Sequence, residues 1–169
     1  MANVNQPRGF FPVRHLLGAQ IESKKYILTT GATVYRGDLL KAVAAGTVQA
    51  ASAGDGTIVV GVAAEYKSDA ASAGGVEVLV YDDPYIVFGV QADGSVAAAD
   101  VFNTANHTAG SGNATTKVSG HQLNAANIGT GSQLKIIGKI DEPNNNWEAY
   151  VDLEVLINQH QYKASVAGV

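Results

Sequence analysis

From Tyr26 onward the dominant signal is an alternation of apolar and polar positions with period two, the mark of strands that bury one face. Thr57–Tyr66 sets Ile58, Val60, Val62, Ala64 and Tyr66 on one side. Val76–Tyr81 alternates Val76, Val78 and Val80 with Glu77, Leu79 and Tyr81, and Tyr85–Gln91 aligns Ile86, Phe88 and Val90. Gln133–Ile140 aligns Leu134, Ile136 and Ile140. The longest pattern, Trp147–Ile157, faces Trp147, Ala149, Val151, Leu153, Val155 and Ile157 one way and Glu148, Tyr150, Asp152 and Glu154 the other.

Turn chemistry separates these runs: Gly54-Asp55-Gly56, Gly74-Gly75, Asp82-Asp83-Pro84, Asp93-Gly94 and Pro143-Asn144-Asn145-Asn146. No segment carries a sustained helical period, although Ala97–Phe102 and Gln122–Asn127 each suit a single helical turn. Many short strands with Gly-rich turns predict an all-β body, a compact barrel or sandwich, over residues 26–157. Residues 103–132 are polar, Gly-rich and weakly patterned, and read as a long loop excursion. Residues 158–169 form a C-terminal tail.

Residues 1–25 read as an extended N-terminal arm. Pro7 and Pro12 steer their preceding residues away from helix, and Gly9 breaks any local period. The apolar Phe10, Phe11, Val13, Leu16 and Leu17 on this irregular segment need a surface to lie on. Twenty extended residues span roughly 65 Å, so the arm reaches beyond its own body. Folding back onto that body is the plainer alternative; contact with a neighbour is the expectation favoured here.

Composition sharpens the picture. Of the 169 residues only 15% are charged, against roughly 25% in an ordinary globular protein, which suits a subunit whose surface is partly covered. Residues 1–41 hold six basic and two acidic side chains, net +4; with −4 for the whole chain, the remainder carries −8. That asymmetry suits docking on an acidic partner or another copy, while scattered basic residues make too thin a phosphate footprint for nucleic acid. No apolar run approaches the about 20 residues that span a bilayer, and Met1–Gln20 lacks the apolar core of a signal peptide.

Candidate chemistry is sparse. With no cysteine, thiolate catalysis and cysteine-held zinc are excluded. His15, His107, His121 and His160 lack metal-ligand spacing and read as surface or loop residues. Asp82 and Asp83 are adjacent, which suits a turn before Pro84 better than an acid/base pair. No Gly-x-Ser-x-Gly elbow or phosphate-cradling glycine loop is present. Arg36-Gly37-Asp38 spells an adhesion tripeptide but reads as a turn entering a strand. Gly37–Lys41 with Gly46–Val48 hints at a lipoyl-like module, yet Lys41 sits inside an apolar run. No catalytic, cofactor or metal residues are assigned, and the chain reads as no enzyme.

Three blocks carry a resemblance: Asn5–Ala19, Val80–Asp93 and Leu153–Tyr162. Together with residues 33–81, which look like a compact β module with Gly-Asp entering a strand, the chain resembles the head-decoration (cement) proteins of tailed bacteriophages. The resemblance implies a β-tulip-like sandwich that trimerises on the outer capsid surface at threefold or quasi-threefold positions. There it would clamp neighbouring major capsid protein subunits, with no membrane partner. On this reading Arg8, Phe10, Phe11, Arg14 and His15 of the arm are the expected contacts with capsid or neighbour. A carbohydrate-binding or adhesive module of a head fibre or tail is the alternative, with Trp147, Tyr85 and Tyr81 as stacking platforms.

Overall fold

A computed structural model describes residues 2–54 and 57–163. Asp55 and Gly56 of one expected turn, and residues 164–169 of the expected tail, lie outside the described residues. In chain order the first strands are β1 (Phe11–His15), β2 (Lys24–Ile27), β3 (Thr33–Val34), β4 (Leu39–Ala42) and β5 (Val48–Ala50). Next come β6 (Gly61–Ala63), β7 (Lys67–Ser68), β8 (Glu77–Tyr81), β9 (Ile86–Gln91) and β10 (Thr104–Ala105). The last are β11 (His107–Thr108), β12 (Gln122–Leu123), β13 (Leu134–Lys139) and β14 (Asp152–Ile157). Single 3-10 turns at Ala98–Asp100 and Ala125–Asn127 fall inside the two segments expected to make helical turns. Asp100 stabilises the first by accepting from Ala97 N–H (2.8 Å), and Asn124 caps the second on Ala126 N–H (3.0 Å).

The fold is all-β and sandwich-like, and the pairings between strands are antiparallel. One five-stranded sheet has the order β1-β9-β14-β13-β10 and the other β2-β8-β6-β4-β5; two small hairpins, β11-β12 and β3-β7, complete it. The described strands form no closed barrel. Ile86, Phe88 and Val90 of β9, Leu134 and Ile136 of β13 and Leu153, Val155 and Ile157 of β14 build the main core. Leu39 and Val62 enter that core from the second sheet. Their neighbours Leu40 and Ala63 point the other way, into a smaller cluster with Leu28, Val34, Val48, Val78 and Val80. The second sheet therefore buries both faces, as the period of two requires when apolar residues occupy consecutive positions.

All six residues of β9 are buried. Its inner face was legible as alternation, but its outer face, Val87, Gly89 and Gln91, is covered by the N-terminal segment. Phe11 lies opposite Gly89, whose missing side chain makes room for the ring: a Cβ there would stand 2.3 Å from Phe11 Cζ. Gln91 accepts from Gln6 N–H (2.8 Å) and donates to Val4 O (3.1 Å).

Four expectations need correction. The N-terminal segment folds onto its own body, because β1 pairs with β9 and Phe10, 2% exposed, completes the main core. Asn3 extends this attachment to Glu148, Asn146 and Ala149. Residues 103–132 are woven into the body through β10, β11 and β12, with Ala105, His107, Ser119, His121 and Leu123 buried. Trp147–Ile157 is not one strand: Tyr150 adopts a φ of 61°, which ends strand geometry, and β14 starts at Asp152. His107, His121 and His160 are buried, 0–4% exposed, rather than at the surface.

Candidate interaction surface

The five arm residues are all engaged within the chain. Arg8 pairs with Asp152 (3.0 Å) and lies 4.9 Å over the Phe11 ring; Arg14 pairs with Glu154 (2.8 Å). Phe10 is core and Phe11 covers Gly89. The His15 side chain is nearly buried, with Nε2 at 3.3 Å from Asp83 Oδ2.

His15 shapes the loop that leaves β1. Its Nδ1 accepts from both Leu17 N–H and Ala19 N–H (3.1 Å each), so the ring proton sits on Nε2, directed at Asp83. Asp83 Oδ1 accepts from Tyr85 N–H (2.8 Å), and Leu16 N–H donates to Tyr85 O (2.9 Å). The loop after β1 and the loop between β8 and β9 are thus locked together by hydrogen bonds. The surface they present outward is apolar: Leu16 is 44% exposed, Leu17 71% and Tyr85 48%. Tyr162, also exposed, is tied through the Tyr26 hydroxyl (2.6 Å) to Asp82 (2.7 Å), the residue beside Asp83.

A sealed polar chain joins the two sheets. His121 Nδ1 accepts from Leu39 N–H (3.2 Å), and its Nε2 lies 3.6 Å from Asp38 Oδ1, an electrostatic contact longer than a hydrogen bond. The His107 and His121 rings stand 5.0 Å apart. His107 Nδ1 meets Gln133 Oε1 (2.9 Å) and Nε2 meets Ala51 O (3.3 Å). Burial pushes His121 down to about 3, with the His107 charge adding to the effect; burial lowers His107 as well. Burial raises Asp38, opposed by hydrogen bonds from Ser119 and Tyr35 N–H. Asp38, Ser119 and His121 lie close together, yet His121 Nδ1 accepts from Leu39 N–H, its Nε2 faces Asp38, and Ser119 Oγ accepts from His121 N–H. The trio ties strands together; no ring nitrogen faces the hydroxyl as a base.

Among the described residues no group of three or more His, Cys, Asp or Glu side chains converges as a metal site, and no helix is long and apolar enough to cross a membrane. Trp147 packs against the main core and Tyr81 lines a groove beside β6, so of the three expected stacking platforms Tyr85 stands most exposed.

The apolar run of the N-terminal segment marks Leu16 and Leu17 as side chains in need of a surface, but the sequence alone does not show that their neighbours turn inward. Tyr85 is paired with them only by the fold. Comparison with protein families, with curated proteins and with solved structures finds no match to the chain.

Proposed function

We propose that this is a non-enzymatic structural protein of a virion. It docks on the outer surface of a phage capsid and cements neighbouring major capsid protein subunits as a homotrimer. The observation that carries the reading is the apolar face of Leu16, Leu17 and Tyr85 on hydrogen-bonded loops. Exposed apolar side chains carried on two loops joined by a backbone hydrogen bond suit a surface that something covers. A backbone already locked loses little freedom on docking, so the apolar anchors contribute most of their burial to affinity. The resemblance of the Asn5–Ala19 and Val80–Asp93 blocks to head-decoration proteins points to the same two loops. Three copies on one rigid lattice turn modest contacts into durable attachment. The partners are the major capsid protein and the chain itself, with no role for nucleic acid or membrane.

The test uses expanded heads lacking the protein, incubated with the wild type and with the double variant Leu16→Ser, Leu17→Ser. Burying a fully exposed leucine is worth about 1.5–3 kcal/mol, and with Leu16 44% and Leu17 71% exposed the pair contributes about 2–3 kcal/mol, so the variant should bind at least ~10-fold more weakly while its circular dichroism and melting stay those of the wild type. Electron cryomicroscopy of the wild-type complex should place density at threefold positions. Undiminished binding by the variant would remove the apolar face from the interface. Failure of the wild type to bind heads would end the capsid reading.

A further inference from the structure

A second feature lies away from that face and shares no residue with it. A groove of about 350 Å³ runs where the end of the N-terminal segment meets the second sheet. Its walls include Phe11, Pro12, Ala63, Tyr81 and Val118, and two arginines, Arg8 and Arg36, border it. The volume falls at the small end of the range of about 300–1,000 Å³ typical of ligand sites. The two arginines differ in what they are free to do. Arg8 is neutralised by Asp152 at 3.0 Å. Arg36 is exposed and makes no ion pair or side-chain hydrogen bond among the described residues, and the Tyr81 hydroxyl likewise has no partner among them. Asp38, the nearest acid in sequence, is buried and directed at Tyr35 N–H and His121, so it leaves Arg36 uncompensated.

The Arg36 backbone is fixed. Its N–H donates to Lys117 O (3.2 Å) and its C=O accepts from Ser119 N–H (2.9 Å). Gly37, next in the chain, links Phe10 N–H (2.9 Å) to Ala63 O (2.8 Å) at a φ of 95°, where a Cβ would crowd Arg8 and Phe10 backbone oxygens at 3.0–3.1 Å. The tripeptide Arg36-Gly37-Asp38 thus places a guanidinium at a crossing of three segments while hiding its aspartate.

We infer that this groove receives an acidic side chain of a partner chain, flanked by an apolar residue. The carboxylate meets the Arg36 guanidinium and the Tyr81 hydroxyl, and the apolar flank lies along Phe11, Pro12 and Val118. Charge complementarity selects this occupant: an unpaired guanidinium offers parallel N–H donors that match a carboxylate, and the apolar walls weaken water's competition for it. A neutral amide of the same shape lacks the charge and leaves the guanidinium unpaired.

The test is nuclear magnetic resonance on the ¹⁵N-labelled full chain, titrated with the capped tripeptide acetyl-Phe-Glu-Phe-amide and its Gln counterpart. The Glu peptide should move the amide signals of Arg36, Ala63, Ala64 and Val118 and bind about tenfold more tightly than the Gln peptide. Arg36→Gln, whose exposed side chain leaves the backbone bonds and the spectral dispersion intact, should abolish that preference; Tyr81→Phe should halve it or more. Equal binding of the two peptides, no shift with either, or a preference surviving Arg36→Gln would overturn the proposal. Phenylacetate is the remaining probe: tighter binding of this free acid than of the Glu peptide would overturn the assignment to a partner chain.

Discussion

Acid should unfold this protein through its buried histidines. In an unfolded chain an imidazole takes a proton near pH 6.5. In the fold, burial pushes His121 down to about 3 and His160 down to about 4, the latter aided by the nearby Lys163 charge and opposed by Asp82 and Asp83. His160 is 0% exposed; its Nδ1 accepts from Tyr162 N–H, which leaves the Nε2 proton buried without a partner among the described residues. Below pH 6.5 the unfolded chain binds protons that the fold refuses. The stability these residues support is therefore complete above about pH 6.5 and is lost progressively as pH falls toward the folded values. At pH 5 the linkage amounts to about 2 kcal/mol for each, or ~4 kcal/mol together, a large part of a typical stability of about 5–15 kcal/mol. His107, also lowered, adds in the same direction. Asp38 and Asp152 oppose it, since burial raises both carboxyls and their protonation in the fold adds stability as pH falls through their raised values. Urea unfolding followed by Trp147 fluorescence should give a stability near pH 5 about 2–4 kcal/mol below that near pH 8. His160→Gln should shrink that difference by about 2 kcal/mol, whatever it does to stability at pH 8. Equal stability at the two pH values, or a His160→Gln difference as large as the wild type's, would refute the reasoning.

The packing gives three further expected outcomes. Phe10→Ala opens a cavity in the main core and should cost about 3–5 kcal/mol in urea unfolding, which separates an N-terminal segment built into the fold from a detachable arm. Gly61→Ala places a Cβ 2.1 Å from the Tyr81 carbonyl oxygen, a backbone atom that cannot step aside. It should destabilise by at least about 3 kcal/mol or abolish soluble expression. His15→Ala removes the acceptor for two loop amides, so hydrogen exchange at Leu17 and Ala19 should quicken at least ~10-fold while global stability falls by about 1–2 kcal/mol.

The strands were legible wherever burial repeats with period two in unbroken chain: Leu153, Val155 and Ile157, or Ile86, Phe88 and Val90. The Pro143–Asn146 turn was legible too, with Asn144 at a φ of 65°. The features that escaped the sequence depend on partners far along the chain. His107 is buried because Gln133 and Ala51 meet its ring, and His121 because Leu39 N–H and Asp38 do; neither lies in an apolar pattern. The outer face of β9 gives no hint that residues 4–11 will cover it, since the cover comes from some 80 positions away. The outward face had the same difficulty: Leu16 and Leu17 stand in an apolar stretch that also holds Phe10 and Phe11, which turn inward, and Val13, which stays outside.

The order β1-β9-β14 has a mechanical consequence. Both outer strands run antiparallel to β9 and so parallel to each other; the chain enters β1 beside Gly89 and leaves β14 beside Val87. Tension between the two ends of the described chain draws β1 and β14 in opposite directions along β9. The hydrogen bonds of both ladders then bear the load side by side, in shear, instead of parting one at a time like a zipper. Forced unfolding is governed by the barrier to rupture, and here that rupture requires many bonds to fail together. The same connectivity that makes the sheet slow to assemble, because its centre waits for a strand made near residue 157, makes it a clamp once assembled.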